Sequence, residues 1–493
     1  MKVTHKNPHS PLFAHRHATI TLTLLSLLAP LLQACKKLLE VKAPVTNLNA
    51  ANVYNSDLTA ASVLTGIYAT MSKGSFATGK QSVSLLAGFS SDEFTLYSGV
   101  TNNSYIVYYK NTLNANQNLQ GNQYWGELYR YIFFCNSAIE GLDKATTLSS
   151  QVKQQLYGEA LFIRAFCYFY LVNFFGDVPL ITSTDYKVNI SLPRSPAADV
   201  YRQSITDLKA AKELLSSNYL DGNLQNSAAA ERLRPTRWAA QALLARVYLY
   251  IGNYAAADTA ATNVINQSSL FTLPDLDNAF IKNSQEAIWQ LQPVTSGRNT
   301  EDAFIFIIPS SGPSDAAGVS PGTPCYLSPW LLQAFNGQDL RKMHWVNQIT
   351  VNNTTYYYPY KYKLTTETPV NEYLIVLRLA EQYLIRAEAR VWQNKLPAAL
   401  ADLNSIRHRA GLKDTTAASR ESLLASILQE RRVELFSEWG HRWLDLKRTN
   451  KVNEVMSQIT SKKGSTWNTN WQWYPLPVDD IQKNSKLVQN PGY

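Results

Sequence analysis

Carboxylates set among arginines are the first residues of this 493-residue chain with the types and spacing for chemistry. Glu381 and Glu388 lie two turns apart on one helix face, as an acid–base pair could. Arg378, Arg386 and Arg390 surround them, which favours ion pairs on a helix surface. Glycoside hydrolysis needs two carboxyls opposed across a cleft, and spacing along one helix does not supply that. A second block, ERRVELFSEWGHRWLDLKR, holds Glu430, Arg431, Arg432, Glu434, Glu438, His441, Arg442 and Asp445. Gly74–Lys80 reads GSFATGK and nearly makes a phosphate-binding loop. Gln81 stands where the magnesium-binding hydroxyl belongs, and the segment follows a helix, so the required strand is missing. His344, His408 and His441 show no metal-ligand spacing, and there is no HExxH or serine nucleophile elbow. These residues therefore give no catalytic residue and no metal ligand.

The elements that hold them are helices. Gly158–Leu180 reads GEALFIRAFCYFYLVNFFGDVPL and is apolar almost all round from Ala165 to Phe175, as a buried helix is. Glu159, Arg164 and Asn173 interrupt it, which argues against a membrane span. Gly176 and Pro179 end it. Helical periodicity also marks 52–71, 124–142 and 198–215. Arg237–Ile265 reads as two helices joined at Gly252-Asn253-Tyr254. Its small and apolar marks Ala245, Ala257, Ala261 and Val264 recur as Ala387, Ala399, Leu403 and Ile406, with offsets of 12, 16 and 19 in both. That is the spacing of tetratricopeptide-like helix pairs.

Two stretches break the pattern. Residues 94–118 are polar and tyrosine-rich, and read as a loop or, at Tyr105–Tyr109, as a short strand. From Phe271 to about Lys363, Gly, Pro, Ser, Thr and Asn dominate, with aromatics scattered among them. So long an irregular region is usually functional. Flat aromatics with polar neighbours suit sugar rings, which present apolar C–H faces and polar rims.

The N-terminus carries Lys2, Lys6 and Arg16, then an apolar run Ile20–Leu32, then Leu32-Gln33-Ala34-Cys35. This is the layout of a lipoprotein signal with Cys35 as the lipidated residue. Removing residues 1–34 takes three basic residues and no acids, so the net charge falls from +9 to 43 − 37 = +6. The remaining charge is scattered, which speaks against a nucleic-acid partner. Cys135, Cys167 and Cys325 remain, an odd number. Buried free thiols are expected, with one disulfide possible.

The apolar helix, CKKLLEVKAP after the signal, the acidic pair Asp92-Glu93, YWGELYRYIFFCNSAIEGL, RLAEQYLIRAEA, the 427–448 stretch that holds the second block, and the closing motifs Trp473–Pro477 and Gln489–Tyr493 together resemble the SusD/RagB family of surface lipoproteins. The resemblance covers nearly the whole chain after residue 34. It implies a mostly α, tetratricopeptide-like scaffold with a loop-rich region and minor β. A signal peptide would occupy 1–34, an N-terminal part 35–230 and a C-terminal part 231–493, the last two as one globular unit. It implies no enzyme and no cofactor. In the family the 430–448 block is a structural charge network, with Trp439 and Trp443 in the core. The implied function is capture of oligosaccharide at the outer membrane and delivery to a SusC-like TonB-dependent transporter. Family ligand aromatics fall in the two loop regions, which nominates Tyr97, Tyr105, Tyr326 and Trp345. The alternatives are a repeat scaffold binding peptide or protein, and a surface glycosidase.

Overall fold

The long apolar run forms the centre of the molecule. In the computed structural model, which describes residues 53–115, 123–315 and 322–493, it is a helix from Ser150 to Phe175 with nearly every side chain from Gly158 onward buried. The whole apolar window lies inside the protein, so this is a core helix. The signal-like segment, Cys35 and the tether to Pro44 lie outside the described residues.

The helices, in chain order, begin with α1 (Asp57–Ser72), α2 (Val83–Ser90) and α3 (Asn103–Tyr109). They continue with α4 (Gln123–Lys144), α5 (Ser150–Phe175), α6 (Ala197–Leu214), α7 (Arg237–Tyr250) and α8 (Tyr254–Ile265). After a loop-rich stretch come α9 (Glu301–Phe306), α10 (Leu379–Trp392), α11 (Leu396–Arg409), α12 (Arg420–Glu434), α13 (His441–Arg448) and α14 (Val452–Lys462). Successive helices pack in order from α4 to α8. α8 then packs on α10, and α10 on α11, so the stack runs straight past the intervening segment. The eight repeat marks, Ala245 to Val264 and Ala387 to Ile406, are all fully buried. Small side chains there let paired helices approach closely, as in a tetratricopeptide-like array. Tight turns with left-handed residues join each pair, Gly252 (φ 74°) in the first and Asn394 (φ 61°) in the second.

The polar stretch after residue 94 departs from its expected form. It forms a short strand and then α3, which Asn102 caps by accepting from Ser104 N at 3.0 Å. The tyrosine spacing that suggested β structure serves a helix face: Tyr105 and Tyr108, three apart, both point into the core.

The β structure is three two-stranded antiparallel ribbons. β1 (Phe94–Leu96) pairs with β3 (Cys325–Leu327), β2 (Ala287–Leu291) with β6 (Leu374–Arg378), and β4 (Val346–Val351) with β5 (Thr354–Pro359). Asn352 and Asn353, both with positive φ (50° and 61°), turn β4 into β5, as a two-residue hairpin loop requires.

Aromatic side chains tie these parts to α5. Trp289 of β2 meets Phe162 and Phe166 edge-on at 5.0 and 5.7 Å. Trp439, between α12 and α13, meets Phe166 at 5.6 Å and donates from Nε1 to Ile375 O at 2.8 Å. Gly440 follows it at φ 70°. A Cβ there would meet that of Ala87 at 2.9 Å, so α13 can approach α2 only through a glycine. Cys135, Cys167 and Cys325 are buried free thiols.

Candidate functional site

The loop-rich side gathers three tyrosines from three separate segments. Tyr326 lies in the middle of β3. Its neighbours Cys325 and Leu327 are buried, so strand alternation turns Tyr326 outward. Tyr97 follows β1 and is held by its backbone N–H, which donates to Pro324 O at 2.8 Å. Tyr356 comes from β5, which packs beside β3. The Tyr326 and Tyr356 rings meet at 5.1 Å and 74°, and Tyr97 and Tyr356 at 6.4 Å and 80°. Tyr356 is the central ring. All three are half-buried, and their hydroxyls have no hydrogen-bond partner among the described residues. Tyr109 lies close by. Burial first, and then Tyr326, push its hydroxyl up to about 12. Burial, then Tyr356, raise Tyr326 as well. Burial thus keeps the Tyr109 and Tyr326 phenols neutral, and the three tyrosines offer ring faces and O–H groups, which is what a polyhydroxylated ligand needs.

Two of the four nominated aromatics do not belong to this face. Tyr105 is fully buried in α3, and its hydroxyl donates to Lys80 O at 2.9 Å. Trp345 is fully buried, and Nε1 donates to Leu276 O at 2.9 Å. Phe280 meets its ring edge-on at 5.4 Å, and Lys361, Arg409 and Arg378 lie 4.9, 5.5 and 5.9 Å from its centroid. Packing aromatic and cationic groups there uses the ring as core. Tyr97 and Tyr326 remain, and Tyr356 joins them. Tyr356 was visible in the sequence only as one of a run of tyrosines at 356–358. The hairpin register that sets it beside Tyr326 was not.

Two family profiles match the chain, one described as "SusD family" over residues 335–493 and one as "Starch-binding associating with outer membrane" over 37–249. The chain belongs to the SusD/RagB family. SusD-like protein P2 of Formosa agariphila is 26% identical over 75% of this chain and 80% of its own length. A SusD superfamily structure from Bacteroides vulgatus superposes with a TM-score of 0.74 at 21% identity, covering 89% of this chain and 99% of that one. A laminarin-binding SusD-like protein superposes with a TM-score of 0.71 at 25% identity, over 88% of this chain and 99% of that one.

In this SusD-like chain the acidic blocks are buried and neutralised. Arg378 contacts Glu286 at 2.7 Å, Glu434 at 2.6 Å and Glu438 at 2.7 Å. Arg341 contacts Asp339, Glu430 and Glu434 at 2.8, 2.5 and 2.8 Å. Arg409 reaches Glu286 and Glu434 as well. Burial, moderated by Glu438, brings Lys361 down to about 8. Glu434 sits well below the usual carboxylate range because Arg409, Arg378 and Arg341 outweigh its burial. Each of these carboxylates is held by a cation, so none is placed for acid–base work.

Glu381 and Glu388 also differ from their expected surface pairing. Glu381 is bidentate with Arg246 of α7 at 2.7 Å, and Glu388 with Arg448 of α13 at 2.6 and 2.7 Å. Arg386 and Arg390 reach Asp402 and Asp258 on the neighbouring helices. These pairs are buried and link helices to one another. The phosphate-loop lookalike has its backbone committed internally: Phe76 N donates to Glu127 at 3.1 Å and Gly79 N to Asp302 at 3.2 Å. Among the described residues, no three His, Cys, Asp or Glu side chains gather as a metal site would require.

Proposed function

We propose that this protein is a glycan-binding subunit at the bacterial outer membrane, which captures oligosaccharide on the Tyr97–Tyr356–Tyr326 face and passes it to a SusC-like TonB-dependent transporter. Cys35 carries the lipid anchor after removal of residues 1–34, and 35–230 and 231–493 act as halves of one unit. The observation that supports this best is the meeting of three outward tyrosines from three segments on the loop side, in a family whose profile is described as starch-binding. The likeness to a laminarin-binding relative points to the same ligand class. The paired state of the buried carboxylates favours binding without cleavage. A scaffold that binds peptide along its helices would have no use for the tyrosine face.

The test is calorimetric titration of the chain from residue 36 with starch- and laminarin-derived oligosaccharides and with peptides, assaying reducing-sugar release in parallel. Saturable glycan binding without release, weakened by Tyr356→Ala, is expected. Peptide binding alone, or release of sugar, refutes the reading. Replacing Cys35 with Ala is expected to move the protein from the membrane fraction to the soluble fraction.

A further inference from the structure

A cluster of charged groups inside the helical array, where α7, α10, α12 and α13 meet, takes no part in the tyrosine face. Arg246 and Tyr250 enter it from α7, Arg431 from α12, and His441, Asp445 and Arg448 from α13. Contacts run through it without a break. The Arg246 guanidinium lies 5.7 Å from the Phe169 ring centroid, Phe169 meets Tyr250 at 4.9 Å, and Arg448 lies 5.4 Å from the Tyr250 centroid. Arg448 and Arg431 then share Asp445, each donating from Nε at 2.7 Å. Arg431 also acts electrostatically on both the Tyr250 hydroxyl and the His441 ring.

Four buried polar atoms of this cluster are left over. Arg431 is 1% exposed and uses only its Nε. Its Nη1 and Nη2, the Tyr250 hydroxyl and His441 Nδ1 have no hydrogen-bond partner among the described residues. A buried donor without an acceptor is costly, and more so on a charged group. The nearby carboxylates are already engaged. Both oxygens of Glu381 accept from Arg246, both of Glu388 from Arg448, and the two of Asp445 from Arg431 and Arg448. Guanidinium nitrogens only donate, and a tyrosine hydroxyl and a histidine nitrogen can donate beside them. A water would bring two more donors into this surplus, whereas an anion brings acceptors alone. The three ion pairs cancel in formal charge, but the field at His441 does not vanish. Burial first, and then four cations, Arg246, Arg431, Arg378 and Lys361, hold its ring well below the usual histidine range. The potential there is positive, which favours an anion.

We propose that this cluster binds a small monatomic anion, chloride, which accepts from Arg431, Tyr250 and His441 and so ties α7 of the repeat array to α12 and α13. The experiment is crystallography with bromide in place of chloride, together with thermal melting of the chain from residue 36 in chloride and in gluconate at equal ionic strength. An anomalous bromide peak within hydrogen-bond reach of the Arg431 Nη atoms is expected. An ion held by the folded state alone raises the melting midpoint as its concentration rises. That rise is read as the difference between wild type and variant, which cancels general salt effects. Tyr250→Phe removes one donor, leaves every ion pair in place, and is expected to weaken chloride about tenfold, ~1.4 kcal/mol. Arg431→Met is expected to abolish the response; should it fail to fold, Tyr250→Phe carries the comparison. Glycan binding is expected to be the same in chloride and gluconate. Overturning results are a water at this position with no anomalous signal, a chloride response equal in wild type and Tyr250→Phe, or a bromide peak with no chloride effect on melting, which marks binding at crystal concentration only.

Discussion

Removing the Tyr356 ring is expected to damage the ligand face more than removing either neighbour, because Tyr356 alone touches both. An edge-to-face pair contributes about 0.5–1.5 kcal/mol beyond area burial when centroids lie roughly 4.5–7 Å apart. The Tyr326 contact at 5.1 Å belongs near the top of that range and the Tyr97 contact at 6.4 Å near the bottom. Tyr356→Ala should therefore cost about 1.5–2 kcal/mol of stability from ring contacts alone. Double-mutant cycles, read by urea denaturation, give the pattern. Coupling is expected at about 1–1.5 kcal/mol for Tyr326 with Tyr356, about 0.5 for Tyr97 with Tyr356, and near zero for Tyr97 with Tyr326. In calorimetry Tyr356→Ala should weaken glycan binding by about tenfold or more, since it removes one ring and the support of two others. Tyr97→Ala leaves the closer pair intact and should cost less. Coupling between Tyr97 and Tyr326 as strong as that of the contacting pairs would refute the reasoning. So would full binding in Tyr356→Ala.

Other perturbations separate the buried groups from the binding face. Trp345→Ala is expected to cost about 3–5 kcal/mol by thermal or urea unfolding, while protein that remains folded binds glycan with wild-type affinity; a selective loss of affinity would return Trp345 to the site. Arg246→Leu strands the buried Glu381 carboxylate and should cost about 3–5 kcal/mol, whereas Arg246→Leu with Glu381→Leu should recover much of that; equal losses would show the pair is unimportant. Burial, and then Asp92, push Glu93 up to about 8. The folded state thus keeps a proton that the unfolded chain releases near the ordinary value of 4.5, so this group's stabilisation declines as pH rises from about 4.5 to 8, at most about 1.4 kcal/mol per pH unit. Thermal midpoints of Glu93→Gln should decline less than wild type from pH 5 to 8, and parallel declines would contradict the shift.

The scaffold could be read in the sequence because its determinants are local. A run apolar almost all round marked α5, and the repeated offsets from Ala245 and Ala387 marked helix pairs whose small and apolar residues all prove buried. Partner choice was less legible. Glu381 and Glu388 sit beside arginines in sequence, but Arg246 and Arg448 arrive from other helices, and no helical spacing encodes that. The tyrosines show the same division. Tyr105 and Tyr97 look alike in a polar segment, yet Asn102 starts a helix that rotates Tyr105 inward. Trp345 lay in an irregular region that reads as surface, but three cations close around its ring. Tyr326 and Tyr356 meet where two separate ribbons, β1–β3 and β4–β5, pack side by side, which composition does not reveal.

The packing of α8 directly on α10 has an evolutionary consequence. The chain between Ile265 and Leu379, which carries Tyr326 and Tyr356, leaves and re-enters the stack at one joint, while its Trp289, Arg341 and Arg378 reach back into the core. Loop-closure entropy grows slowly, by about 0.6 kcal/mol for each doubling of length, so that joint tolerates inserts of very different size. Substitution is therefore freest at the outward ribbon positions around Tyr326 and Tyr356, where selection can change the sugar that is recognised, and closed at Trp289, Arg341 and Arg378, whose partners lie in the array.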